Sequence, residues 1–170
     1  MSIFNGVGIY VILDVNTPVY GQHIDRSNPA GTYTRGYMEH VFTVIEAFKG
    51  YPNLLGFFGG NEIINDLETA DENPPYMRAV QRDMKDYIAA HADRPIPVGY
   101  SAADVREFTE DTFNYLACDN GDSSASDFFG LNSYSWWASI RLKLVQSYAN
   151  KERQVWLRVQ LPDSRVRCSR

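Results

Sequence analysis

The chain has 170 residues, 44% of them hydrophobic, which is enough for one domain with a buried core and too apolar for a disordered tract. A formal net charge of -5 excludes nucleic acid as the main partner, because neutralising phosphates needs a basic face. Two cysteines, Cys118 and Cys168, make no disulfide framework, and their spacing suggests no metal site.

In chain order, Met1 to Gly6 lacks the basic start of a signal peptide and is expected to run directly into the first strand, Ile9 to Val15. That strand is β-branched and continuously apolar, the pattern of a strand covered on both faces, with Asp14 near its end. A long loop to Tyr33 follows, punctuated by Gly21, Pro29 and Gly31. Val41, Ile45 and Phe48 then recur at helical spacing between Gly36 and Lys49, and Tyr51-Pro52 stops that helix.

The second strand is Leu54-Leu55-Gly56-Phe57-Phe58-Gly59-Gly60, closed by Asn61-Glu62. Asn73-Pro74 reads as N-cap and first helical residue of the next helix, to about His91. Ile96 to Tyr100 is a third, short strand, and Ser101 to Asp104 is expected to cap a helix ending near Leu116. After a Gly/Ser/Asp loop, Asp127 to Tyr134 is the fourth strand. No apolar run approaches the length of a membrane span.

Strands alternating with helices imply a parallel sheet with right-handed crossovers. Every strand closes on polar or aromatic groups: Asp14, Asn61 with Glu62, Tyr100 with Ser101, Asn132 with Tyr134. That pattern fits half of a (β/α)8 barrel, whose active face lies at the carboxyl ends of its strands. The alternative is a small open doubly wound sheet, against which no Gly-rich phosphate loop follows the first strand.

Glu62, at the mouth of a buried strand, is the candidate acid. Desolvation there raises a carboxyl pKa, so the group can hold a proton to donate. Retaining cleavage of a glycosidic bond needs two carboxyls about 5–5.5 Å apart, one acid/base and one nucleophile. Asn61 could bond a sugar hydroxyl, and Asn-Glu could equally be a mere helix cap. Asp14 could be the second carboxylate, a substrate contact or a loop-organising Asp making Asx-type bonds. Tyr134 could stack on a sugar or simply close the barrel top. His23, His40 and His91 share no metal-binding spacing, and Ser101 lacks the frame of a serine hydrolase nucleophile. No cofactor and no metal are expected.

Five segments, GIYVILDVNTP (8–18), YPNLLGFFGGNEIIND (51–66), NPPYMRAVQRDMKDYI (73–88), IPVGYSAADVR (96–106) and DFFGLNSYSW (127–136), make residues 1–136 resemble the catalytic domain of fungal β-1,3-glucanosyltransferases, glycoside hydrolase family 72. The resemblance implies a partial TIM (β/α)8 barrel of about four βα units, the family's strands three to six. It also implies an enzyme that cuts an internal β-1,3-glucan linkage and transfers the new reducing end to another glucan. Glu62 matches the acid/base; Asn61, Asp14 and Tyr134 match positions lining the glucan cleft, so Asp14 is set aside as nucleophile. Family members sit at the cell surface on a GPI anchor, whereas this chain is read as lacking both signals.

The family's nucleophile lies in a later segment resembling Pro-Val-Phe-Phe-Ser-Glu-Tyr-Gly, and nothing like it follows Trp136. From Ala138 onward there are eight Lys/Arg, two acids (Glu152 and Asp163) and none of the 12 glycines. Residues 137–170 are therefore expected to be a non-homologous basic tail, disordered or irregular, from a frameshifted or mispredicted gene. With one carboxylate of the pair the chain is expected to be inactive. A non-catalytic β-glucan-binding fragment is the alternative.

Overall fold

The structure, a computed structural model, describes residues 1–119 and 121–133 and the backbone of residues 156–160. Four parallel strands, β1 (Val11–Asp14), β2 (Leu54–Asn61), β3 (Val98–Ala103) and β4 (Phe128–Ser133), lie side by side in sequence order. Helices α3 (Arg35–Phe48), α4 (Pro74–His91) and α5 (Thr109–Ala117) make the crossovers. This is the half barrel expected from the alternation of elements. A further strand, β5 (Trp156–Gln160), pairs antiparallel with β4. It falls within the stretch expected to be irregular, most of which lies outside the described residues.

The helices cover one face of the sheet. Tyr37, Val41 and Ile45 from α3 and Met77, Val80, Met84 and Ile88 from α4 are buried with Phe57, Val98, Tyr100 and Phe129 from the strands. Each such side chain removed from water contributes about 1.5–3 kcal/mol. Phe42 of α3 stacks on Tyr87 of α4, ring centroids 4.1 Å apart, which locks the two helices together. The Thr34 hydroxyl caps α3 by accepting from the Tyr37 N–H at 3.2 Å.

Several boundaries differ from expectation. Residues Ser2–Gly6 form a one-turn helix, α1, before β1, and Pro29–Thr32 form another, α2, inside the long loop. Ser101 does not cap a helix. It continues β3, because its N–H and C=O have strand neighbours on both sides, and α5 begins only at Thr109. Asn73 precedes Pro74 as expected, yet its side chain makes no cap. Its amide instead donates to the Arg26 and Thr69 carbonyls, tying two loops to the start of α4. Among the described residues no helix is long and apolar enough to cross a membrane.

Candidate active site

The site begins with the two glycines that close β2. A Cβ on Gly59 would stand 3.1 Å from the Gln81 Cγ, and one on Gly60 would stand 2.6 Å from the Met77 Sδ and 3.1 Å from the Tyr100 ring. Both glycines therefore face the helices, which breaks the two-residue alternation of a strand. The register agrees: Phe58 pairs with Gly99, but Asn61, three residues on, pairs with Ser101, only two on. The extra residue is a β-bulge, and it turns Asn61 from the helix side to the inner side of the sheet. A side chain at either position would have to force the side chains of α4, and at Gly60 the Tyr100 ring, aside.

Glu62 leaves the strand with φ 53°, the one non-glycine residue in the left-handed region among those described. Such a conformation costs about 1–2 kcal/mol and persists only where neighbours impose it. They do so on both sides. The Glu62 N–H donates to the Ser101 carbonyl at 2.8 Å, and the Ile64 N–H donates to the Tyr100 hydroxyl at 2.8 Å. Tyr100 is fully buried, and burial pushes its hydroxyl pKa above the usual range, so it remains a neutral partner. Ile63 and Ile64 are themselves buried, which pins the chain beyond the carboxylate.

Asn132, from β4, gathers the mouth together. Its Nδ2 donates to the Asn61 Oδ1 at 2.9 Å and the Glu62 Oε1 at 2.8 Å, while its Oδ1 accepts from the Ser101 hydroxyl at 3.0 Å. The amide is oriented so that its NH2 meets two oxygens and its carbonyl oxygen meets a hydroxyl. Among the described residues, the Asn61 Nδ2 and the Glu62 Oε2 then have no hydrogen-bond partner, and both residues reach the surface. Each of the two residues thus keeps one polar atom free of described partners at the strand end.

Asp14 ends β1 in register with Phe58, hence on the same inner side as Asn61. Its Oδ1 accepts from the backbone N–H and the side-chain Nδ2 of Asn16, both at 2.8 Å. This is the Asx-type arrangement weighed from the sequence, and it occupies only one of the two oxygens. Dense surroundings desolvate the carboxyl and raise its pKa, an effect partly offset by the two Asn16 bonds. The residue keeps exposed surface even so. Tyr134 lies outside the described residues. The structure thus brings Asp14, Asn61 and Glu62 to one end of the sheet.

Asn16, Tyr37, Ser101 and Asn132 were not singled out as site residues. Asn132 and Ser101 had been noted as polar strand ends, but only the parallel register shows that one amide can reach two strands. Of the histidines, His40 is a tether, its Nε2 at 3.0 Å from the Val15 carbonyl. His23 sits against the Thr17 and Val19 carbonyls. No group of metal-binding side chains occurs among the described residues. The cleft of about 630 Å³ lined by Leu55, Ile88, Pro95, Ile96 and Phe128 lies at the opposite, amino-terminal end of the strands, away from these groups.

Comparison with known proteins bears on what this mouth belongs to. The 1,3-beta-glucanosyltransferase gel2 of Aspergillus fumigatus is 60% identical over 135 residues, covering 79% of this chain and 28% of the relative. The 1,3-beta-glucanosyltransferase GAS4 of Saccharomyces cerevisiae is 48% identical over 138 residues, covering 80% of the chain and 29% of the relative. The solved structure of Saccharomyces cerevisiae Gas2p in complex with laminaritriose and laminaritetraose superposes with a TM-score of 0.71 at 36% identity, over 82% of this chain and 30% of that one. The chain therefore spans a little under a third of the length of these relatives. The glucanosyltransferase family model, that of glycoside hydrolase family 72, matches residues 1–158, past the Trp136 at which the resemblance in the sequence ended. A parallel half barrel that ends on a clamped Asn-Glu pair, with these identities along its length, belongs to the glucanosyltransferases of glycoside hydrolase family 72.

Proposed function

We propose that this chain carries the acid/base half of a retaining β-1,3-glucan transfer site. Glu62 is the acid/base, and Asn61, Asp14 and Tyr134 contact the sugar. The observation that carries the reading is the Asn132 clamp, which fixes Glu62 Oε1 and Asn61 Oδ1 and leaves Oε2 and Nδ2 open toward the mouth. In the reaction, Glu62 gives its proton to the departing glycosidic oxygen while a second carboxylate attacks the anomeric carbon. Glu62 then takes the proton of the incoming glucan hydroxyl as that oxygen displaces the carboxylate. Asn61 Nδ2 is placed to donate to a sugar hydroxyl, a bond that tightens as charge develops at the ring.

The second carboxylate is not supplied by the family's nucleophile segment within these 170 residues. The 170 residues by themselves therefore bind β-1,3-glucan without turnover. Location at the cell surface through a GPI anchor belongs to the same reading. Titration of the 170-residue chain with laminaripentaose, beside an assay for transfer between laminari-oligosaccharides, tests it. Saturable binding without product is expected. Turnover lost in Glu62→Gln would overturn the inactivity, and no binding at all would overturn the glucan site.

A further inference from the structure

Asn16 lies in the loop after β1, yet three elements meet on its side-chain amide. The Tyr37 hydroxyl of α3 donates to its Oδ1 at 2.8 Å, and its Nδ2 donates to the Asp14 Oδ1 at 2.8 Å and the Gly59 carbonyl at 3.3 Å. The orientation is determined by chemistry. The Asp14 carboxylate and the Gly59 carbonyl only accept, so the NH2 end must face them and the oxygen must face Tyr37. Tyr37 is fully buried and belongs to the packed core of α3, so its hydroxyl has one fixed position. Gly59 begins the bulge that turns Asn61 inward, so the same amide touches both strand ends that supply the mouth.

The arrangement loads Asp14 unevenly. Oδ1 takes two donors from Asn16, and no described residue donates to Oδ2. A carboxylate at an exposed strand end would otherwise rotate, and ordering it would be charged against any ligand. We propose that Tyr37 and Asn16 form a positioning relay that locks one oxygen of Asp14 and presents the other to a sugar hydroxyl. The relay rests on the reading of this mouth as a glucan site, but its effect on Asp14 can be observed without any glucan.

Two readouts separate these. The first is the ionisation midpoint of Asp14, followed through its carboxyl carbon resonance and assigned by its absence in Asp14→Asn. Burial raises this midpoint and the two Asn16 donors pull it back, so loosening Asn16 moves it upward. The other titratable groups around the strand end are Tyr37 and His40 on α3, Glu62 beyond β2 and His23 in the following loop. The second readout is laminaripentaose affinity.

In the full 170-residue chain, Tyr37→Phe and Asn16→Ala should both raise the Asp14 midpoint and weaken laminaripentaose by about three- to tenfold, the worth of one hydrogen bond. Asn16→Ala alters a loop residue only, so it keeps the test available if the core substitution fails to fold. Tyr87→Phe is the control. It removes a hydroxyl bonded to Glu46 at 3.0 Å between α3 and α4, and should move neither readout. An Asp14 midpoint unchanged in both variants overturns the relay. A midpoint that moves in a chain that binds no laminaripentaose supports the relay and refutes the glucan site instead.

Discussion

The bodies of β2, β3 and β4 and their carboxyl ends obey different rules. Along the bodies, space is exhausted: a Cβ on Gly99 would stand 2.4 Å from the Phe128 carbonyl, and one on Gly56 would stand 2.9 Å from the Pro97 carbonyl. At the ends, polar atoms are held at one position by their neighbours and left open at another, as in Asn61, Glu62 and Asp14. The lesson is that a tightly packed position and an open polar one can be neighbouring residues of the same strand. A methyl group on Gly60 would have to displace the Met77 side chain and crowd the Tyr100 ring, while the next side chain reaches solvent.

The contrast can be broken most forcefully at Gly99. Gly99→Ala drives a methyl into backbone and ring atoms that cannot swing aside, and should cost about 3 kcal/mol or more, or prevent folding. Thermal unfolding of the purified chain measures it, and a change under about 0.5 kcal/mol would mean that the strand bodies are not tightly packed.

Tyr100→Phe tests the boundary between the two regions. It strips the buried Ile64 N–H of its acceptor and should cost about 1–3 kcal/mol, seen as a midpoint lowered by roughly 2–10 °C in a chain of this size. Laminari-oligosaccharide binding should weaken as well, because the same bond restrains Glu62.

Asn132→Ala acts at the open strand ends. It frees the Asn61 and Glu62 side chains, and affinity for laminaripentaose should fall about tenfold while stability changes by about 1 kcal/mol or less. Equal losses in both would place Asn132 with the structural residues.

The smallest effect concerns Asp14. Its folded pKa is raised, so the folded state holds its proton more readily than the unfolded chain does. Stability from this group is therefore greatest at low pH. It falls as the pH rises from the ordinary carboxylate value, 3.8, through the raised folded one. Asp14→Asn should slightly stabilise the chain at neutral pH and confer no advantage in acid. Unfolding curves at pH 3 and pH 7 reveal the sign, and a larger benefit in acid contradicts it.

Much of this was legible without coordinates. Continuous apolar strands, helical periodicity in α3 and α4 and polar groups at each strand end determined a parallel half barrel with its chemistry at the carboxyl ends, because burial imposes those periods locally. Glu62, Asn61 and Asp14 stood out for the same reason, each lying at or just past the end of a strand, and the structure brings them to one end of the sheet. The bulge at Gly59-Gly60, the left-handed Glu62, the Asn132 clamp and the Tyr37–Asn16 contact were decided only by tertiary structure. Each depends on which residues of separate strands and helices fall opposite one another, and that is set by register and packing between segments up to 71 residues apart in the chain. Gly-Gly reads as a break in a strand; only the packing of α4 and Tyr100 against it shows what a side chain there would displace, and only the register shows that the next one turns inward.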